Sequence, residues 1–269
     1  MKDLSNENVI HNKKDGFEYL QFRKLLEYEN VKHCFTLKPS DFGSNLTYLE
    51  KKEEIIKNFK TLAMEFQFDF ENLCRPKQTH TDKVARIEEG DEGIYNPKFD
   101  NVDGLVTNQR EKALILSFAD CSPLLFYDPV KKVIANTHSG WKGTMQEIGV
   151  RTVEKMQQEY GCDAKDIICC IGPHIRKCHF EVDKDVRDMF YEKFKHLENR
   201  EDIIQYNQEK NKYYIDTTAI NKQILQIAGL QKKNIIDSNI CTVCNWDICH
   251  SFRTEKDLSG RAVSMMMLV

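Results

Sequence analysis

Between residues 113 and 144 the chain carries three apolar runs separated by short polar breaks, and this stretch limits what the rest can build. Residues 113–119 are almost wholly apolar, as are 124–127 and 133–135, and buried strands are predicted at 113–119, 124–127 and 132–137. Asp128-Pro129 marks the turn between the last two. Polar and reactive groups collect where the runs stop. Asp120-Cys121-Ser122-Pro123 follows the first, and His138-Ser139-Gly140-Trp141-Lys142-Gly143-Thr144 follows the third. A thiol and an imidazole at the ends of neighbouring strands suit either a metal site or a nucleophile with its base.

Further strands are predicted near 31–35 and at 83–87, 104–107, 167–171, 235–236 and 261–268. Ile55, Ile56, Phe59, Leu62, Ala63 and Phe66 form a helical stripe within 50–67, with charged residues opposite. A second helix is predicted over 145–160 and ends at Gly161; others are expected at 183–195 and 217–228. Strands outnumber helices and the two kinds mix throughout, so the class is mixed α and β (α+β). With no repeat, linker or compositional break, residues 16–269 are expected as a single domain. Residues 1–15 are polar and are expected to be poorly ordered.

Composition excludes several function classes. The 269 residues are 41% apolar and 30% charged with net charge −3, which gives no pull toward nucleic acid or an anionic membrane. The N-terminus lacks the apolar stretch of a signal peptide, and no run reaches transmembrane length. The reading is therefore cytoplasmic, with no nucleic-acid or membrane partner, as a monomer or small homo-oligomer. In that compartment the ten cysteines stay reduced, most of them as small buried hydrophobes.

Among candidate residues, His138 would ordinarily be a hydrogen-bonded strand-end histidine, but Gly140 and Gly143 argue for a special backbone beside it. Cys121 is a thiolate nucleophile or a metal ligand, and spacing alone does not choose. Burying the adjacent Asp120 unpaired is costly, which suggests a polar pocket. His80, in the polar turn 78–82, would be an exposed loop residue without the other two. Cys241, Cys244, Cys249 and His250 have the spacing of a small zinc knuckle, the strongest purely local metal signal and a minority reading. His174 and His179 are read as non-ligands.

The ordered series of motifs resembles the purine nucleoside phosphorylases formerly described as multicopper polyphenol oxidoreductases or laccase-domain proteins. It runs through Gly43-Ser44-Asn45-Leu46, Lys77-Gln78-Thr79-His80, Asp103-Gly104-Leu105-Val106-Thr107 and Ala119-Asp120-Cys121-Ser122-Pro123. It continues through His138–Thr144, Gly172-Pro173-His174-Ile175, Cys178–Val182, Tyr214-Ile215-Asp216, Cys241-Thr242 and His250-Ser251-Phe252-Arg253. The resemblance implies a four-layer α/β/β/α sandwich with mixed sheets, like the catalytic domain of cytotoxic necrotizing factors. It implies one Zn2+ held by His80, Cys121 and His138; copper is the less favoured alternative to zinc. It also implies phosphorolysis of adenosine, guanosine, inosine and methylthioadenosine, together with adenosine deamination. Lys142 and Arg253 are then candidates for phosphate, beside Cys121 in the catalytic set, with Asn45 and Gln78 for substrate. Cys241-Thr242 becomes structural under this reading. The chain departs from the family at Thr47-Tyr48-Leu49-Glu50, at Lys142 where arginine is common, and at Phe252 where tyrosine is common. The alternatives are a metal-free Cys/His thiol hydrolase or amidase, a copper polyphenol oxidase, and a non-catalytic zinc-stabilised interaction protein built on 241–250.

Overall fold

The structure is a computed structural model that describes residues 2–43 and 51–269. Two six-stranded mixed sheets face one another. The first runs, edge to edge, Val9–Lys14, Phe17–Phe22, Val31–Thr36, Ala262–Leu268, Ala113–Phe118 and Leu73–Cys74. The second runs Ile235–Asp237, Ile168–Ile171, Ser122–Asp128, Val133–Ser139, Gly104–Thr107 and Val84–Arg86. Most neighbours are antiparallel; Leu73–Cys74, Val84–Arg86 and Ile235–Asp237 pair in parallel with their neighbours.

Side-chain alternation builds four layers. Along the Ala262–Leu268 strand, Met266 and Leu268 point between the sheets, while Val263, Met265 and Met267 point out onto the Lys52–Phe66 helix. Along the Ser122–Asp128 strand, Leu125 and Tyr127 point inward. Leu124 and Phe126 meet Val153 and Met156 of the Ile148–Tyr160 helix and Leu225 of the Thr217–Ile227 helix. The order is helix, sheet, sheet, helix, as expected. Strands covered on both faces read as unbroken apolar runs, which is why these central strands stood out in the sequence.

Several expectations need correction. Within the polar N-terminal segment, Val9–Lys14 is not loose but pairs in register with Phe17–Phe22 through the tight turn at Asp15-Gly16. Both turn residues have positive φ, 49° and 82°, as a two-residue hairpin of this kind requires. The helix expected over 145–160 is divided into Trp141–Met145 and Ile148–Tyr160, because Glu147 adopts a left-handed conformation. A small three-stranded sheet was not expected at all: Glu181–Val182, Lys212–Ile215 and Ile204–Asn207. With the Lys184–Lys193 helix it packs Phe180, Phe190, Phe194 and Ile215 together beside the main sheets.

Candidate metal centre and its cavity

The chain crosses from the first sheet to the second through Ala119-Asp120-Cys121, between the Ala113–Phe118 and Ser122–Asp128 strands. Asp120 turns this corner with φ 80°, a conformation rare outside glycine and worth attention at a site. Its carboxylate accepts the Thr242 hydroxyl at 2.6 Å, the Ser251 hydroxyl at 3.1 Å and the Arg253 backbone N–H at 2.6 Å. The expectation of a polar pocket holds, and these bonds dock the 241–253 loop beside Cys121.

His138 lies in the Val133–Ser139 strand, opposite Pro123 of the strand that follows Cys121. His80 is brought in by its turn, also at positive φ, 65°. One buried carboxylate positions both histidines. Asp103 accepts backbone N–H groups from Thr79 at 3.2 Å, His80 at 3.0 Å and Thr81 at 2.7 Å, and its Oδ1 lies 2.8 Å from His138 Nδ1. Burial raises the Asp103 pKa, but the His138 bond and charge and the Thr81 bonds outweigh it and hold the carboxyl at about 2. With Nδ1 engaged, His138 presents Nε2 to the site, the carboxylate–histidine arrangement that orients a ligand ring.

The side-chain donors of His80, Cys121 and His138 all lie within 4.8 Å of one another, close enough to hold one metal ion. Cys121 Sγ is 3.7 Å from His80 Nε2, and the two imidazoles meet edge to face with centroids 4.8 Å apart. Burial raises the Cys121 thiol and lowers the His138 imidazole, but mutual attraction wins for both. Cys121 is driven toward thiolate and His138 toward imidazolium. Zinc would displace the His138 proton, leaving a thiolate and two neutral imidazoles, a borderline-soft donor set that suits it. Gly140 is fixed by the same crowding. A Cβ there would sit 2.7 Å from His80 Cδ2 and 3.1 Å from Cys121 Sγ.

The three donors line a cavity of about 550 Å³, within the range of small-molecule sites. Its walls include Trp141, Phe180 and Phe252, and three guanidinium groups, Arg75, Arg253 and Arg261. Arg253 is anchored to the carbonyls of His179 at 2.9 Å and Glu181 at 3.3 Å. Gln78 lines the cavity, yet its amide bonds both backbone groups of Ser117, at 2.9 and 2.7 Å, as an extra strand would. Lys142 does not line it; its exposed ammonium lies 5.6 Å from the Trp141 ring centroid. Asn45 falls outside the described residues.

Sequence reasoning missed the roles of Asp103 and Arg75, which only the long-range fold brings to the site. The predicted zinc knuckle does not form. Cys249 is buried among the inter-sheet core residues, and His250 Nε2 lies 2.8 Å from the Ser40 carbonyl. Cys241 and Cys244 instead meet Cys178 and His179, a residue expected to be a non-ligand. His174 is buried between the Gly172 carbonyl at 2.8 Å and the Thr218 hydroxyl at 2.7 Å.

Comparison with known proteins agrees with this architecture. A purine nucleoside phosphorylase, YlmD of Bacillus subtilis, is 32% identical over 221 residues, 81% of this chain and 78% of its own. An adenosine deaminase, RL5, from an unknown prokaryotic organism, is 33% identical over 75% of this chain and 77% of its own. The crystal structure of the Bacillus licheniformis hypothetical protein YfiH superposes with a TM-score of 0.86 at 26% identity, covering 96% of this chain and 99% of that one. The family model described as multi-copper polyphenol oxidoreductase laccase matches residues 40–269. On that match the chain belongs to the laccase-like family whose relatives carry the names purine nucleoside phosphorylase and adenosine deaminase.

Proposed function

We propose that this chain is a zinc-dependent purine nucleoside phosphorylase that also deaminates adenosine. The observation that carries the reading is the convergence of His80, Cys121 and His138 on a cavity walled by aromatic rings and guanidinium groups. In phosphorolysis a phosphate oxygen bonds to C1′ of the ribose as the bond from C1′ to the purine nitrogen breaks. The base and ribose 1-phosphate are the products. In deamination water adds at C6 and ammonia leaves. A zinc ion held by His80, Cys121 and His138 would supply Lewis acidity, activating water near neutral pH.

The chain's own residues divide the remaining work. Trp141, Phe180 and Phe252 offer faces and edges to a purine ring. Arg75, Arg253 and Arg261 place fixed positive charge where phosphate binds, and guanidinium groups suit its geometry better than an ammonium. We assign phosphate to these arginines rather than to Lys142. Asp103 holds the His138 ring, and Asp120 docks the loop that carries Arg253.

A metal-free reading has one observation in its favour, the electrostatic preference for a Cys121 thiolate beside a His138 imidazolium. Metal analysis and product assays separate the two. The proposal expects zinc bound through these three residues, adenine released from adenosine only when phosphate is present, and inosine formed without it. Neither product from a zinc-loaded preparation overturns the activity. Copper in place of zinc, with oxidation of a phenol, would support the oxidase instead.

A further inference from the structure

Two surface loops bring together four groups that the first site does not use. Cys178 and His179 lie between the Ile168–Ile171 and Glu181–Val182 strands, and Cys241 and Cys244 follow the Ile235–Asp237 strand. Cys178 Sγ is 3.6 Å from Cys241 Sγ and 3.8 Å from Cys244 Sγ. His179 Nδ1 is 3.2 Å from Cys178 Sγ, 3.7 Å from Cys241 Sγ and 3.5 Å from Cys244 Sγ. All four donor atoms lie within 4.8 Å of one another.

These spacings resemble the edges of a tetrahedron around one ion. Zinc bonds of about 2.3 Å to sulfur and about 2.0–2.1 Å to nitrogen place sulfurs about 3.8 Å apart, and sulfur and nitrogen about 3.5 Å apart. A disulfide requires sulfurs at about 2.05 Å, far closer than the 3.6 and 3.8 Å separations found here. We propose that Cys178, His179, Cys241 and Cys244 form a second zinc site, structural and four-coordinate. Three sulfurs and one imidazole complete the shell, so no position is left for substrate, in contrast to the three donors at Cys121.

The location gives the ion a task. Phe180, next to His179, is a wall of the cavity, and the His179 carbonyl accepts Arg253 Nη1 at 2.9 Å. Thr242, between the two ligand cysteines of its loop, donates to Asp120 at 2.6 Å. Zinc at this site therefore ties together the two loops that frame the cavity, without touching the reacting atoms.

The experiment is zinc analysis of the full-length protein after exhaustive buffer exchange. Two zincs per chain are expected in the wild type. Removing His80 and His138 together should leave one, and Cys178→Ser with Cys244→Ser should also leave one, with a lowered melting temperature. Should the second variant fail to fold, alkylation of the wild type supplies an independent reading. Cys178 and Cys244 are exposed, so iodoacetamide should label them only after zinc is chelated. The inference is overturned by an unchanged zinc count in the Cys178/Cys244 variant, by equal labelling with and without zinc, or by an intact mass two hydrogens lighter from a disulfide. A wild type that holds a single zinc, kept when His80 and His138 are removed and lost in the Cys178/Cys244 variant, would contradict the proposed catalytic centre and leave this second site standing.

Discussion

At the residue scale, two positions decide whether the donors at Cys121 meet. Asp103 joins the His80 turn to the His138 ring with one carboxylate, so replacing it loosens two ligands together. Asp103→Ala is expected to weaken zinc binding at this site by about 10- to 100-fold, the usual effect of losing a ligand's outer partner. Competition against a chromophoric chelator measures it; wild-type affinity would show that the ring holds its orientation unaided. Gly140→Ala acts by crowding, since its Cβ would lie 2.7 Å from the His80 ring. Zinc affinity should fall in this variant while the melting temperature moves little, because the conflict is with a side chain at the cavity surface. Cys121 and His138 were visible as candidates in the sequence, and His80 was raised only by their company. Asp103 was visible only as part of a motif, because its role depends on a turn more than twenty residues away.

At the element scale, burial on both faces explains what could be read. The Gly104–Thr107 and Ala113–Phe118 strands are apolar or small at almost every position, and their run lengths located them closely. The Val9–Lys14 and Phe17–Phe22 pair lies at a sheet edge and mixes polar with apolar residues, so its apolar signal was weak. Asp15-Gly16 was the signal that could have found it. The cysteine loops were misread differently: local spacing grouped Cys241 and Cys244 with Cys249 and His250, whereas the fold sets Cys178 and His179 beside them. The true neighbours arrive across the second sheet, where Arg176 also grips Asp237 at 2.7 and 3.0 Å and Lys222 adds a contact at 2.8 Å. The two cations and the Asn239 N–H outweigh burial and hold the Asp237 carboxyl well below the usual range. Asp237→Asn should cost about 2–3 kcal/mol, at or just under the cost of breaking a buried pair because both cations reach solvent. Chemical denaturation tests this, and a loss below about 0.5 kcal/mol would count the pair among ordinary surface bridges.

At the scale of the whole molecule, three histidines buried outside the first site make stability depend on pH. Burial pushes His33 down to about 3 and moves His174 and His250 down as well. His33 Nε2 accepts the Phe22 N–H at 2.7 Å, a role only the unprotonated ring nitrogen can fill. The sign follows from where the proton binds. An unfolded histidine takes it up near pH 6.5, whereas folded His33 remains neutral far below that. Its contribution is therefore complete above about pH 6.5 and is lost as pH falls toward 3, at up to about 1.4 kcal/mol per pH unit. Asp237 adds a separate loss that begins only below about pH 4, where an unfolded aspartate binds its proton. Metal ligands also protonate in the upper window, so wild type alone cannot isolate the histidine effect. His33→Gln can: its amide oxygen accepts the same N–H and carries no titrating proton. The variant should melt lower than wild type at pH 7.5, and the gap should narrow steadily between pH 6.5 and 4.5. A gap independent of pH would mean that His33 is protonated in the folded chain as easily as in the unfolded one, and that its buried cage does not exclude charge.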